Sequence, residues 1–429
     1  MFFKVLYQSK KRDSQARLGE IITDHGVIKT PSFVAVGTKG TVKSILPNLL
    51  KEIGTQVAFV NTYHLVTHPG PDLIENAGGI HQWANLNMPL MSDSGGFQVF
   101  SLAKNKIQTS KFKYQNENAK FKNEEKIPSF VKIGDDGVQF HSIFDGSIIE
   151  FTPEKSIDYQ MKIGADIMMA FDECIPYGVD YEYTKKATER THRWLIRCID
   201  YKVRQQKFFD AMGTPKPLKH KKFVASPRKN QYLYGVIQGG VFEDLRKNSA
   251  EFVVSQNTPG VAIGGVSVGE SKKEMRDQVR WVADYLPKDR PVHLLGVGQV
   301  DDIVDLVKFG IDTFDCVEPT RLARMGTIYQ LGSMPFSRQQ NKGKNWLEKA
   351  SLPELIDNID ILKGKYREDL SQVDENCDCY VCQNFTKSYL HHLFKNRELL
   401  AYTLATYHNL YVMEKLFALI REMIERNLL

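Results

Sequence analysis

No stretch of eighteen consecutive apolar residues occurs in the 429 residues of this chain, which excludes a membrane-spanning helix of ordinary length. The opening segment, Met1-Phe-Phe-Lys-Val-Leu-Tyr-Gln8, has no basic region leading into a long apolar stretch and a small-residue cleavage site, so no secretory signal is expected. Cysteine is scarce, at six residues, and Cys174, Cys198 and Cys316 are scattered. That distribution suits a reducing compartment better than a disulfide framework, and a cytoplasmic location is the expectation. No Gly-x-Gly-x-x-Gly follows the first strand-like run, which argues against a dinucleotide-binding doubly wound sheet.

Hydrophobic residues make up 42% of the chain, enough for a sizeable core, and the length suits one large α/β domain with additions. The net charge of +6 is mild but uneven. Lys104 to Lys126 holds seven lysines, and Lys202 to Lys229 holds nine Lys or Arg against the lone acid Asp210. Such stretches favour polyanions through counterion release, or serve as solvated loops.

Short apolar runs end abruptly in polar or glycine clusters along most of the chain. They are Val57-Ala-Phe-Val-Asn61, Pro89-Leu-Met-Ser-Asp93, Asp166-Ile-Met-Met-Ala-Phe-Asp172, Leu233-Tyr-Gly-Val-Ile-Gln238, Val261-Ala-Ile-Gly-Gly265, Val292-His-Leu-Leu-Gly296 and Ile311-Asp-Thr-Phe-Asp315. Runs of this kind read as strands buried on both faces. Amphipathic stretches alternate with them, notably Thr184 to Phe208, Lys272 to Tyr285 and Gln299 to Phe309. Seven or eight such units predict a closed (β/α)8 TIM barrel, whose polar strand C-termini converge at one mouth. The expected layout is a barrel core over 1–325 with basic insertions at about 103–130 and 203–230. A metal-binding subdomain over 326–410 and an amphipathic C-terminal helix over 411–429 follow.

Cys377, Cys379 and Cys382 lie within six residues. Three thiolates so close suit one tetrahedral cation with a fourth donor. His408 is the candidate, with His391 and His392 as nearer competitors. A closed site of this composition reads as structural zinc rather than as a catalytic metal with an open position.

Two carboxylates end buried strands. Asp93 leads into Ser94-Gly-Gly-Phe-Gln98, and Asp315 into Cys316-Val-Glu-Pro-Thr-Arg321. Facing each other across a barrel mouth, they suit substitution at an anomeric carbon, one attacking and the other handling protons. Asp172, Gln238, Gly265 and Gly296 also sit at strand ends, where a carboxylate and an amide can read the edge of a purine-like ring and Phe97 can stack on its face.

These motifs together resemble the tRNA-guanine transglycosylase family, in its bacterial form. The resemblance rests on Pro47-Asn48 through Asn61-Thr-Tyr-His-Leu65, Ser92-Asp-Ser-Gly-Gly-Phe-Gln-Val-Phe-Ser101, Phe171-Asp-Glu-Cys174, Gln238-Gly-Gly240 and Gly264-Gly-Val-Ser-Val-Gly-Glu270. Gly296-Val-Gly298, Phe314-Asp-Cys-Val-Glu-Pro-Thr-Arg321, the cysteine cluster and His408 complete the series, which spans about residues 5–425 outside the two basic stretches. It implies a zinc-bearing barrel that replaces the wobble guanine of GUN-anticodon tRNAs with a 7-deazaguanine in queuosine biosynthesis. It further implies Asp315 as nucleophile and Asp93 as general acid/base. Asp172, Gln238, Gly265 and the Val266 backbone would hold the base edge, with Phe97 and Leu295 on the ring faces. Arg321 and Arg324 would contact the anticodon loop, and the zinc ligands would be Cys377, Cys379, Cys382 and His408. The expected partners are tRNA, the base substrate and a second copy of the chain in a homodimer, with no membrane. The expected base is preQ1, with queuine or a non-catalytic tRNA-binding relative as alternatives. Val266 stands where the bacterial pattern usually has Leu.

Overall fold

The structure, a computed structural model, describes residues 1–97, 131–142, 146–212, 230–332 and 356–429. Eight parallel strands close into a barrel: β1 (Ser32–Val36), β2 (Ala58–Val60), β3 (Leu90–Ser92), β4 (Ile167–Met169), β5 (Tyr232–Ile237), β6 (Gly260–Ile263), β7 (Val292–Leu294) and β8 (Thr313–Cys316). Each pairs with the next, and β8 closes on β1 with Phe314 beside Phe33. Seven of the eight coincide with the apolar runs above. The strand not singled out, Ser32-Phe-Val-Ala-Val36, carries the same signal and ends at Gly37.

Successive side chains point to opposite faces of a strand, so strands covered on both sides need apolar residues at nearly every position. In β1, Val34 and Val36 join the barrel interior with Phe59, Met91, Met169 and Val236, whereas Phe33 and Ala35 join the layer beneath the helices. Full burial of each such side chain contributes roughly 1.5–3 kcal/mol. A one-residue slip of register would exchange the two sets, which is why the pattern specifies the pairing.

An antiparallel sheet of Phe3–Gln8, Arg17–Thr23 and Gly26–Thr30, not anticipated from the sequence, precedes the barrel. Its Phe3, Ile21 and Ile28 complete the interior cluster. Phe2 stacks on Tyr232, the first residue of β5, with ring centroids 3.7 Å apart. Buried Arg17 forks onto Asp312, just before β8, at 2.6 and 3.0 Å. This sheet therefore closes the N-terminal end of the barrel and leaves chemistry to the other end.

A second antiparallel sheet (Val131–Ile133, Val138–His141, Ile148–Phe151) is inserted between β3 and β4. The basic stretch at 103–130 lies outside the described residues. The one at 203–230 does not begin as an insertion: residues up to Met212 continue the helix Tyr181–Met212. Lysine and arginine are good helix formers and extend the exposed face of a helix without cost; residues 213–229 lie outside the described set.

After β8 and the helix Glu318–Arg324 comes an antiparallel hairpin, Thr327–Leu331 with Ile356–Asp360. Helices Tyr380–Asn384, Lys387–Lys395 and Leu399–Glu425 follow. The expected boundary at 410/411 falls inside the last of these. No Gly or Pro interrupts residues 399–425, and buried Leu404, Ala405, Leu410, Met413 and Leu416 keep one stripe apolar through the supposed junction. One helix thus carries His408 and also packs on the barrel, with Phe417 5.8 Å from Phe314 and 6.2 Å from Phe33 between ring centroids. No described helix is long and apolar enough to cross a membrane.

Candidate active site and metal centre

Barrel closure delivers the polar strand ends in chain order around one mouth. Asp93 follows β3, Asp172 follows β4, Gln238 follows β5, Gly265 follows β6, Leu295 follows β7 and Asp315 belongs to β8. Three steps around an eight-strand barrel separate β3 from β8 through β1 and β2, so the two carboxylates stand across the mouth rather than side by side. A cavity of about 730 Å³ is lined by both, together with Phe97, Asp172, Gly265, Val266, Leu295 and Arg321. Gln238 is fully buried and contributes from beneath through its bond to Asp172. Phe97 is half exposed at the rim. Arg321 is exposed on the helix Glu318–Arg324, while Arg324 is half-buried, donates to the Thr320 carbonyl at 2.7 Å and does not line the cavity.

The two carboxylates are held differently. Asp93 Oδ1 accepts from the Thr62 amide at 2.6 Å, Oδ2 accepts from the Asn61 side-chain amide, and the Thr62 hydroxyl donates to its carbonyl. Both oxygens are engaged. Asp315 Oδ1 accepts from the Gly296 amide at 2.9 Å and from His293 Nε2 at 3.2 Å, whereas Oδ2 accepts from no donor among the described residues. Asn61 and Thr62 were quoted in the sequence only as part of a motif, with no role given to them, and His293 stood inside a run read only as a strand.

Between the carboxylates lies a recess short of hydrogen-bond partners. Asp172 accepts from Ser94 Oγ at 2.9 Å and Gln238 Nε2 at 2.7 Å, yet burial pushes its carboxyl above the usual range despite those bonds. Gln238 Oε1 is buried without a partner among the described residues. Gly265 adopts φ +61°, and a Cβ there would lie 2.2 Å from that oxygen, so glycine is required by both conformation and space. Beneath it, fully buried Arg246 donates to the carbonyls of Gly240, Gly264 and Gly265 at 2.7–2.8 Å and to Gln278 Oε1 at 2.6 Å. Burial lowers its pKa to about 10. A guanidinium with five donors can tie down several strand-end carbonyls at once. Nothing in the spacing around Arg246 announces this.

In the C-terminal region, His408 Nδ1 lies 3.8, 3.5 and 3.3 Å from the sulfurs of Cys377, Cys379 and Cys382, and all four side chains are buried. Zinc bonded tetrahedrally at about 2.3 Å to sulfur and about 2.1 Å to nitrogen requires S···N edges of roughly 3.6 Å. The cluster can hold such an ion. His408 Nε2 donates to the Tyr329 carbonyl at 2.7 Å, which leaves Nδ1 as the ligating nitrogen. The competitors are engaged elsewhere: His391 donates to the Ile361 carbonyl at 2.7 Å, and His392 contacts Asn396 on the surface.

His25, His81 and Asp166 form a further cluster of potential ligands near the closed end. There the imidazoles stack in near-parallel planes with centroids 3.5 Å apart. In-plane lone pairs on parallel rings do not converge on one ion, and each ring instead bonds one Asp166 oxygen, at 2.7 and 3.2 Å.

A closed (β/α)8 barrel with two carboxylates in the cavity at its C-terminal mouth, and a separate buried Cys3His cluster that could hold a metal ion, has the frame of a barrel enzyme. The family model described as queuine tRNA-ribosyltransferase matches residues 12–129 and 123–429. Proteins named queuine tRNA-ribosyltransferase are similar over nearly the whole chain. That of Thermoanaerobacter pseudethanolicus is 42% identical over 99% of this chain and 94% of its own length. That of Aquifex aeolicus is 41% identical over 96% and 93%, and that of Enterococcus faecalis 40% over 98% and 92%. The chain belongs to the queuine tRNA-ribosyltransferase family, the tRNA-guanine transglycosylases, which are pentosyltransferases.

Proposed function

We propose that this chain exchanges the wobble guanine of GUN-anticodon tRNAs for a 7-deazaguanine, preQ1, by two displacements at the ribose anomeric carbon. The observation that carries the reading is the ordered arc of strand ends, which sets a ring-edge recess between two carboxylates of unequal engagement. Asp315, with Oδ2 unshared, attacks the anomeric carbon as the glycosidic bond breaks. Asp93 protonates the departing guanine and then takes a proton from the incoming base, which displaces Asp315. Two inversions give retention, and one glycosidic bond replaces another without ATP. Asp172, Gln238, Gly265 and the Val266 backbone hold the base edge, Phe97 and Leu295 cover its faces, and Arg321 and Arg324 meet the anticodon loop. The four-residue cluster holds structural zinc, and the protein works as a cytoplasmic homodimer.

Incubation with unmodified tRNA and preQ1, preQ0 or queuine separately, followed by nucleoside mass spectrometry, tests activity and base choice together. Incorporation of preQ1 is expected. Incorporation of queuine alone would move the chain to salvage of that base, and no incorporation of any would overturn the reading.

The recess itself has a separate test. In Gly265→Ala the new methyl displaces Gln238 from its bond to the Asp172 carboxyl. Loss of the hydrogen bond that the displaced Gln238 would make to the base costs about 0.5–1.5 kcal/mol, up to about a tenfold loss of affinity. Calorimetric titration with guanine should show it in a protein with an unchanged circular dichroism spectrum. Undiminished affinity would remove Gln238 from the base site.

A further inference from the structure

His293 is a polar ring in the wrong layer for packing alone. It is fully buried at the middle of β7 and stacks on Phe59 of the barrel interior, with centroids 5.8 Å apart and planes 18° from parallel. Interior layers of such barrels are filled mainly by branched aliphatic residues, and an imidazole buried there is costly unless both nitrogens are bonded. Both are. Nδ1 lies 2.9 Å from Thr313 Oγ1, and Nε2 lies 3.2 Å from Asp315 Oδ1. A carboxylate oxygen only accepts, so Nε2 carries the proton, and the Thr313 hydroxyl is placed to donate into Nδ1. These proton positions are assigned from the network.

We infer that His293 is a positioning residue that, with the Gly296 amide, holds Asp315 Oδ1 and leaves Oδ2 as the atom that attacks. The inference rests on the reading of Asp315 as nucleophile. In the first step the Oδ2 electron pair forms the bond to the anomeric carbon. The glycosidic pair leaves with guanine, which Asp93 protonates, and Oδ1 becomes the ester carbonyl oxygen, still facing two N–H donors. In the second step the incoming base, deprotonated by Asp93, forms its bond to that carbon, and the ester C–O pair returns to Oδ2. The same donors stabilise the regenerated carboxylate and so favour its departure. The Thr313 hydroxyl supports the ring from behind, completing a hydroxyl–imidazole–carboxylate chain across the neighbouring strands β7 and β8.

The test uses the full chain with tRNA. His293→Phe keeps a flat ring against Phe59 and removes the donor, whereas His293→Gln returns a side-chain N–H. The covalent complex is followed on denaturing gels with radiolabelled tRNA, alongside KM for tRNA and affinity for guanine. His293→Phe should slow covalent complex formation by about ten- to a hundredfold, the scale on which misplacement of a reacting atom acts. KM and guanine affinity should stay within about twofold, and Gln should restore most of the rate. A His293→Phe rate equal to that of the unaltered protein, while Asp315→Ala is inactive, overturns the inference and leaves the nucleophile standing. An active Asp315→Ala overturns both. Should His293→Phe not fold, Thr313→Val carries the same test: a covalent step slowed about three- to tenfold is expected from loss of a neutral hydrogen bond, and no change overturns the inference.

Discussion

Asp315→Ala is expected to abolish exchange of radiolabelled guanine into tRNA, with a loss of at least about 10⁴-fold, the scale on which removal of a nucleophile that forms a covalent intermediate acts. Neither Asp93 nor Cys316 can take its place. Asp93 stands across the mouth with both oxygens engaged by Asn61 and Thr62. Cys316 lines the same cavity, but burial pushes its thiol up to about 12, far from the thiolate that could attack at neutral pH. The substitution leaves the Gly296 amide and His293 Nε2 without their acceptor, at a stability cost of about 1–3 kcal/mol. That is small beside the stability of a typical domain, so the variant should fold, bind guanine and form no covalent tRNA complex on a denaturing gel. Retained exchange would remove Asp315 from the nucleophile's role. Asp315→Asn is a weaker test, because the amide keeps the shape and an acceptor for Oδ1's partners.

The second large effect is expected from the metal cluster. Structural zinc contributes apparent binding free energies of about 10–16 kcal/mol in small zinc domains, comparable to the whole stability of a fold. Cys379→Ser or Cys382→Ser should reduce bound zinc from one equivalent per chain to none and lower the melting temperature by on the order of 10 °C or more. The consequences should reach tRNA before they reach the base. His408 is followed in the same helix by fully buried Asn409, whose amide donates to the Pro319 and Thr327 carbonyls at 3.1 and 3.0 Å and accepts from the Tyr329 amide at 3.0 Å. Loss of the ion therefore loosens the connection from the metal helix to the helix Glu318–Arg324, which carries both candidate anticodon-loop arginines. The recess around Asp172 and Gln238 rests on β4–β6 and Arg246 instead. Guanine affinity should persist while tRNA exchange fails. A metal-free protein with full activity and an unchanged melting curve would contradict this account.

Much of this was legible without coordinates where chemistry and periodicity coincide. Seven of eight barrel strands were apparent because a strand buried on both faces must be apolar throughout, and each run ended in the polar residue or glycine that the barrel delivers to its mouth. The cysteine spacing pointed to a metal site by itself, since three thiols within six residues have few other uses, and the four side chains do converge. Asp93 and Asp315 were visible as carboxylates at strand ends, where a barrel places its chemistry.

What stayed hidden depends on through-space partners at large sequence separation. His408 was already the candidate fourth donor, but which of its nitrogens faces the sulfurs turned on the Tyr329 carbonyl, 79 residues away, which holds the other one. The N-terminal cap has no period distinguishing it from any other hairpin; only its meeting with Tyr232 and Asp312 reveals a plug. Arg246 and His293 look like ordinary residues of a helix and a strand until barrel closure brings them under Gly265 and beside Asp315. Local composition, then, was sufficient for the barrel strands and for the candidate reactive groups, because those follow from burial patterns and side-chain chemistry within a few residues. Which oxygen of Asp315 is left unshared, and which nitrogen of His408 faces the sulfurs, were decided by tertiary contacts. A hydrogen bond acts over about 3 Å, and only the closed barrel sets residues from distant parts of the chain that close together.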